Sequence, residues 1–499
     1  MSGAPGTAGG AASAAAHPRR VSTPSGELQG VERDGVAAYL GVPYAKPPVG
    51  SLRWRPPQPL PRWRGVRLAD HFGNDCMQRR RPGGHGRPVS EDCLYLNIWT
   101  PAHSPSARLP VMVWIHGGGF VLGAASQPIY DGANLARRGV VVVTLNYRLG
   151  LFGFFAHPAL LEESPAGPVG NYGLLDQIAA LGWVRRNIAA FGGDPADVTF
   201  FGQSAGGISV ADLLTSPLAR GLFQRAIIES GVMAQPATPL ARAEASAEAD
   251  AKSWGLARPT AAALRALPAS VVLGSGPPLA VRAGPMIDGH VLPEGAKAAF
   301  RSGHLIKVPL LIGSVSYEAG FFPQMARGLA QRLAPEWSRV TKLYDGYGTH
   351  RTPLIEGELA TDMQITAPTW QAAREAARAG LPVYLYYFAY LRPSEQGRVP
   401  GPIHEDEVYA VFGNMSLVEK HPDAGTRRIV EQMQSRWIRF ARTGRPAAEP
   451  SAWPQVEPGA LSVLEFTNGR PVVRGDFAGK RLALAARLSR IAFAPPPHG

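Results

Sequence analysis

One ten-residue stretch limits what this chain can fold into more than any other. Val198, Thr199, Phe200 and Phe201 form a β-branched and aromatic run that reads as a buried strand. It breaks at once into Gly202-Gln203-Ser204-Ala205-Gly206-Gly207, and residues 208–214 are compatible with a helix. Strand, sharp corner and helix, with Gly-x-Ser-x-Gly at the corner, is the setting of a nucleophile elbow. Such a corner crowds the serine backbone, so Gly202 and Gly206 stand where a Cβ would clash. Ser204 would then raise its hydroxyl above a sheet, with a helix N-terminus behind it. A Gly/Ser-rich turn without chemistry is the competing reading, and the flanking strand and helix argue against it.

A serine hydroxyl is a weak nucleophile at its free pKa and needs a base, an orienting acid and donors for the oxyanion. Residues 110–115 read as a second buried strand, followed directly by His116-Gly117-Gly118-Gly119-Phe120. Three successive glycines let backbone N–H groups face a cavity with no side chain in the way. The amides of Gly118 and Gly119, with that of Ala205 after the serine, are the candidate oxyanion hole. A phosphate-binding loop is the alternative, but no Gly-Lys-Ser/Thr follows and no dinucleotide fingerprint is completed.

These blocks resemble the type-B carboxylesterase family, the cholinesterase-like branch of the α/β-hydrolases, over about residues 21–454. Ser90-Glu91-Asp92-Cys93-Leu94-Tyr95-Leu96-Asn97-Ile98-Trp99 is similar to one family signature, and Phe191-Gly192-Gly193-Asp194-Pro195 through Gly207 to the signature around the nucleophile. Gly41-Val42-Pro43-Tyr44-Ala45, Leu52-Arg53-Trp54 and Asn146-Tyr147-Arg148 look like further family blocks. The resemblance implies an α/β-hydrolase fold: a central, mostly parallel sheet covered by helices on both faces, with helical insertions forming a gorge over the site. It also implies the chain order serine, acid, histidine. Glu318, in Ser316-Tyr317-Glu318-Ala319-Gly320, aligns with the acid, although Tyr317 and Ala319 depart from the family pattern. His404 aligns with the histidine, and His116 is expected to pack the oxyanion loop. The implied activity is serine carboxylesterase action through an acyl-enzyme, on a small-molecule ester, without metal or organic cofactor.

The family equivalents of Cys76 and Cys93 are bridged, which implies a disulfide here, with two buried thiols as the alternative. A bridge implies a periplasmic or secreted protein rather than a cytosolic one. Arg53 and Glu91 align with a structural ion pair. Ser230 resembles a family serine that supports the acid and the histidine, a plain turn serine being the other reading. Gln203 stands where many relatives carry Glu, which disfavours cationic substrates. Cholinesterases stack quaternary ammonium on a tryptophan between the two cysteines. Residues 77–92 hold no aromatic residue, so a cation cage is not expected.

The strand-like runs 111–115, 140–145, 198–201, 226–228, 308–312 and 383–388 alternate with helical periodicity, most clearly in 176–191 and 426–443. That alternation predicts a mostly parallel, doubly covered sheet. Residues 21–499 are expected to form a single domain, with helical insertions around 241–270 and 324–380. Residues 1–20 are Ala/Gly/Ser/Pro-rich and read as a disordered tail that lacks the features of a secretory signal. No run approaches the length of a membrane span, so no transmembrane segment is expected. A monomer or weak homodimer is the expected assembly.

The chain carries a net charge of +13, from 51 basic and 38 acidic residues. Arg79, Arg80, Arg81 and Arg87 lie together in the loop between the cysteines. An Arg-rich solvated loop is one reading; a basic rim steering anionic, polycarboxylic esters is the other. Dispersed arginines without a nucleic-acid motif make nucleic acid an unexpected partner. A lipase with an interfacial lid and a non-catalytic, cholinesterase-like binding module are the alternatives. Retention of Ser204, Glu318 and His404 argues against the latter.

Overall fold

The computed structural model describes residues 17–79, 87–163, 170–234, 237–277, 283–345, 348, 351–475 and 477–492. One large sheet dominates it. Its strands are β1 (His17–Thr23), β2 (Gly26–Arg33), β3 (Val36–Pro43), β4 (Val66–Leu68), β5 (Tyr95–Thr100), β6 (Leu109–Ile115), β7 (Val141–Leu145), β8 (Gly193–Gln203), β9 (Arg225–Glu229), β10 (Leu310–Val315), β11 (Val383–Phe388), β12 (Ser462–Phe466) and β13 (Val472–Gly475). They are ordered β1-β2-β3-β5-β7-β6-β8-β9-β10-β11-β12-β13, with β4 beside β2. From β7 to β12 every neighbouring pair is parallel. Apart from the parallel β2–β4 pair, the two ends of the sheet are antiparallel.

Strand β6 shows why the middle of the sheet is covered twice. Val111, Val113 and Ile115 enter one core cluster, while Met112 and Trp114 enter another on the opposite face. Both sets are fully buried, so the strand reads as one continuous apolar run rather than an alternation. Helix α1 (Tyr172–Asn187) packs Leu174, Leu181 and Val184 into the first cluster. Further along the chain come α2 (Ala205–Leu213), α3 (Leu240–Ser253), α4 (Ala296–Ser302), α5 (Thr352–Thr361), α6 (Ala367–Arg378), α7 (Asp406–Phe412) and α8 (Ala424–Thr443). Helix α8 sends Ile429, Met433, Trp437 and Phe440 into the second cluster. Its start is capped by Asp423, which accepts the Thr426 amide at 2.6 Å, and Gly444 ends it at φ +71°.

Two long-range ties brace this frame near the elbow. Arg148 binds Asp176 of α1 through Nη2–Oδ1 at 2.7 Å and Nε–Oδ2 at 2.8 Å, with both side chains buried. Arg53 grips Glu91 through Nε and Nη2, while its Nη1 donates to the carbonyls of Arg265 and Leu267. Cys76 and Cys93 form a disulfide with their Cα atoms 4.9 Å apart. A loop of this length contributes roughly 3 kcal/mol in the chain-entropy account.

One sequence expectation needs correcting. Residues 17–20, assigned above to a tail, belong to β1, which pairs antiparallel with β2 from His17↔Glu32 to Thr23↔Gly26. Polar composition hides such an edge strand because its stability comes from the partner's ladder, not from its own side chains. Residues 1–16 lie outside the described residues. The segments 241–270 and 324–380 contain helices, among them α3, α5 and α6. Among the described residues no helix is long and apolar enough to cross a membrane.

Candidate active site

The loops after β6, β8, β9 and β10 all leave the carboxyl edge of the parallel strands, where open α/β sheets place their ligand sites. Ser204 sits between β8 and α2 at φ 55°, ψ −125°, a conformation costing of order 1–3 kcal/mol for a residue with a side chain. Its amide donates to Glu229 O at 2.9 Å and its carbonyl accepts from Ile208 N at 2.8 Å, so both sides of the corner are tied down. The glycines are required by contact. A Cβ on Gly206 would lie 2.0 Å from Ile115 O, one on Gly202 2.6 Å from Gly206 C, and one on Gly231 2.4 Å from Gly207 Cα.

The Gly117–Gly119 loop presses against this corner. A Cβ on Gly117 would come within 3.0 Å of both the Ser204 Cβ and the Gln203 side-chain oxygen. Gly118 lies at φ +110°, where a side chain would also meet Leu122 O at 2.0 Å, and Gly119 lies at φ +62°. Among the described residues nothing accepts a hydrogen bond from the amides of Gly118, Gly119 or Ala205. Three unengaged donors beside one hydroxyl can receive a developing oxyanion. His116 stacks on Tyr147 at 4.6 Å, and its Nδ1 lies 2.8 Å from Gly117 O. Burial pushes its imidazole down to about 4, so it packs the loop as a neutral ring.

Glu318 begins a single 3₁₀ turn three residues after the end of β10, and His404 lies two residues before the start of α7. Although 86 residues apart, their side chains meet, with Nδ1 of His404 2.5 Å from Oε2 of Glu318. The Val315 amide donates to the other carboxylate oxygen at 3.1 Å. Phe321 and Phe322 flank the imidazole at 5.7 and 5.1 Å. Both members of the pair are buried, and Nε2 of His404 has no hydrogen-bond partner among the described residues. Ser204 and His404 are therefore not hydrogen-bonded here. Such contacts commonly tighten only around substrate.

Two buried carboxylates behind this pair escaped the sequence reading. Glu229 ends β9 and accepts Trp437 Nε1 at 2.7 Å, and Glu407 lies on α7. Ser230, at φ 47°, donates to Glu407 at 3.4 Å rather than to Glu318 or His404. Its expected partners are thus replaced by an acid that only the fold brings near. The available signal was a glutamate inside an otherwise apolar strand run, Ala226-Ile227-Ile228-Glu229.

Burial pushes Glu229 up to about 8, and burial together with the charges of Glu229 and Glu318 pushes Glu407 well above the usual carboxyl range. Between the ordinary value of 4.5 and about 8, the folded protein keeps a proton that the unfolded chain has released. Stability therefore falls as pH rises through that window. Glu229→Gln is expected to reduce this slope, gaining about 1–2 kcal/mol over wild type at pH ~8 relative to pH ~5 in urea unfolding. Parallel pH responses of the two proteins would contradict the assignment.

Arg79 and Arg87, the described members of the basic loop, spend their guanidinium groups on backbone carbonyls. Arg79 donates to Leu273 O at 2.9 Å and Pro277 O at 3.1 Å, and Arg87 donates to Phe72 O at 2.8 Å. Arg80 and Arg81 lie outside the described residues.

A strand–elbow–helix serine, an amide-lined loop and an imidazole–carboxylate pair on the edge of a parallel sheet define an α/β hydrolase. The family model described as "Carboxylesterase family" matches residues 17–344 and 349–483, and the chain belongs to that family. It is 38% identical to fumonisin B1 esterase of Sphingopyxis macrogoltabida, over 87% of this chain and 84% of that protein. It is also 38% identical to para-nitrobenzyl esterase of Bacillus subtilis (strain 168), over 87% of this chain and 92% of that protein. A solved PNB esterase structure superposes with a TM-score of 0.80 at 34% identity, covering 94% of this chain and 99% of its own. The protein is a carboxylic ester hydrolase.

Proposed function

We propose that the chain cleaves carboxylic esters through an acyl-enzyme on Ser204. His404 Nε2 takes the hydroxyl proton as Ser204 Oγ attacks the carbonyl, and Glu318 holds the ring in the tautomer that leaves Nε2 free. The amides of Gly118, Gly119 and Ala205 stabilise the oxyanion. His404 returns the proton to the departing alcohol, and water repeats the sequence to release the acid. The observation that carries this reading is the 2.5 Å His404–Glu318 contact with Nε2 left open, on the same sheet edge as an elbow serine. Relatives named for para-nitrobenzyl and fumonisin B1 esters support it. A fluorophosphonate probe should label the protein once, with the adduct on the peptide containing Ser204. Labelling that survives Ser204→Ala would overturn the assignment.

A preference for anionic esters is favoured by the net charge of +13 and by Lys297 and Arg301, exposed cations with no hydrogen bond or ion pair among the described residues. Raising salt should then depress kcat/KM for a dicarboxylic half-ester several-fold more than for its neutral methyl analogue. Equal salt responses would remove the preference. The Cys76–Cys93 bridge supports residence in an oxidising compartment, periplasmic or extracellular.

A further inference from the structure

Alongside the catalytic elements lies a cavity of about 430 Å³ whose wall is mostly apolar. Its inner end is bounded by Phe120 and Gly231, the residues that follow Gly119 and Ser230. Helix α2 contributes Ile208, Ala211 and Asp212, which share one face of the helix. Asp212 is out of character there. It is only 4% exposed, and no described residue hydrogen-bonds or ion-pairs with its carboxylate. An unpartnered carboxylate facing an apolar chamber is costly unless something in the chamber answers it. At the mouth stand the exposed Lys297 and Arg301 of α4.

Neither Ser204 nor His404 lines the cavity itself; Phe120 and Gly231, which do, adjoin the Gly118–Gly119 loop and Ser230. An alcohol leaving from Ser204 must depart beside His404, which protonates it, and no residue of the His404 segment lines this chamber. Asp212 is eight positions beyond Ser204, or about 12 Å along the helix axis, which an acyl chain of medium length spans. Resting on the assignment of Ser204 as nucleophile, we propose that the cavity receives a medium-chain acyl group bearing a hydroxyl near its far end, and that Asp212 binds that hydroxyl. A hydroxyl can donate to the carboxylate or accept from the carboxylic acid, so it pairs with Asp212 in either state. Glu375 also lines the cavity, but an ammonium would still have to pass Lys297 and Arg301, and a carboxylate on a chain long enough to reach Asp212 would face a like charge there.

The test compares p-nitrophenyl decanoate with p-nitrophenyl ω-hydroxydecanoate, flanked by the hexanoate, octanoate and dodecanoate pairs. Wild-type protein should prefer the hydroxylated ester by about tenfold in kcat/KM at one chain length, the discrimination of one satisfied buried hydrogen bond. Asp212→Leu should bring the ratio to one or below, and Asp212→Asn, which can still hydrogen-bond, should keep part of it. Because each ratio is taken within one protein, a general loss of activity does not distort it. Equal rates on both esters at every length in wild type would overturn the proposal while leaving Ser204 in place, whether or not the variants fold. Preference for an ω-amino chain, or a ratio unchanged in Asp212→Leu, would also overturn it. Failure of wild type on all esters, with no probe on Ser204, would instead sink the nucleophile assignment.

Discussion

Replacing Ser204 by alanine is expected to lower kcat/KM on a soluble p-nitrophenyl ester by roughly 10⁴- to 10⁶-fold, with the residual rate coming from binding and oxyanion contacts alone. The fold should survive. Among the described residues the Ser204 side chain makes no hydrogen bond, and alanine relieves none of the backbone strain at φ 55° because it keeps the Cβ. The thermal midpoint should therefore stay close to wild type. His404→Ala and the double variant should each fall to nearly the same floor, since residues that act as one unit are not additive. A Ser204→Ala protein that keeps more than about a tenth of wild-type turnover would remove the serine from the mechanism.

The largest stability effect is expected at Arg148 and Asp176, not at the chemistry. Asp176 accepts three hydrogen bonds from Arg148, two from the guanidinium and one from the backbone amide at 3.0 Å. Arg148→Met leaves that carboxylate buried with only the amide, and breaking a buried pair in this way costs about 3–5 kcal/mol. Arg148→Met/Asp176→Leu should recover most of the loss, because no uncompensated charge remains. Urea midpoints of the three variants give the coupling directly. A single-variant loss below about 1 kcal/mol, or a double variant as weak as the single, would show that solvent reaches the site.

Much of the fold was legible because its rules are local. The run Val383–Phe388 was bounded correctly from the sequence alone, and β6 and α8 needed only minor changes at their ends, whereas β8 runs from Gly193 to Gln203 and extends well beyond the apolar run 198–201. Strands β1 to β5, β12 and β13 were not recognised; the polar edge strand β1 is hidden because it is stabilised by its neighbour, and the others are short or mixed runs whose pairing only the fold decides. The elbow was equally plain. A corner that brings Ile115 O within 2.0 Å of a Gly206 Cβ tolerates few residues, so the glycine pattern declares the geometry. Glu318 and His404 were found by resemblance, not by spacing, because nothing local marks a glutamate 86 positions from its imidazole.

By itself, then, the sequence determined the strand–corner–helix around Ser204, the glycine loop that faces it, and the alternation that makes a doubly covered sheet. Each follows from sterics and side-chain period over a few residues. Tertiary structure alone decided that His404 anchors on Glu318, that Ser230 turns to Glu407, and that Asp212 faces a chamber instead of solvent. Those outcomes depend on which charges lose water together, and desolvation is set by distant segments packing, not by neighbours in the chain.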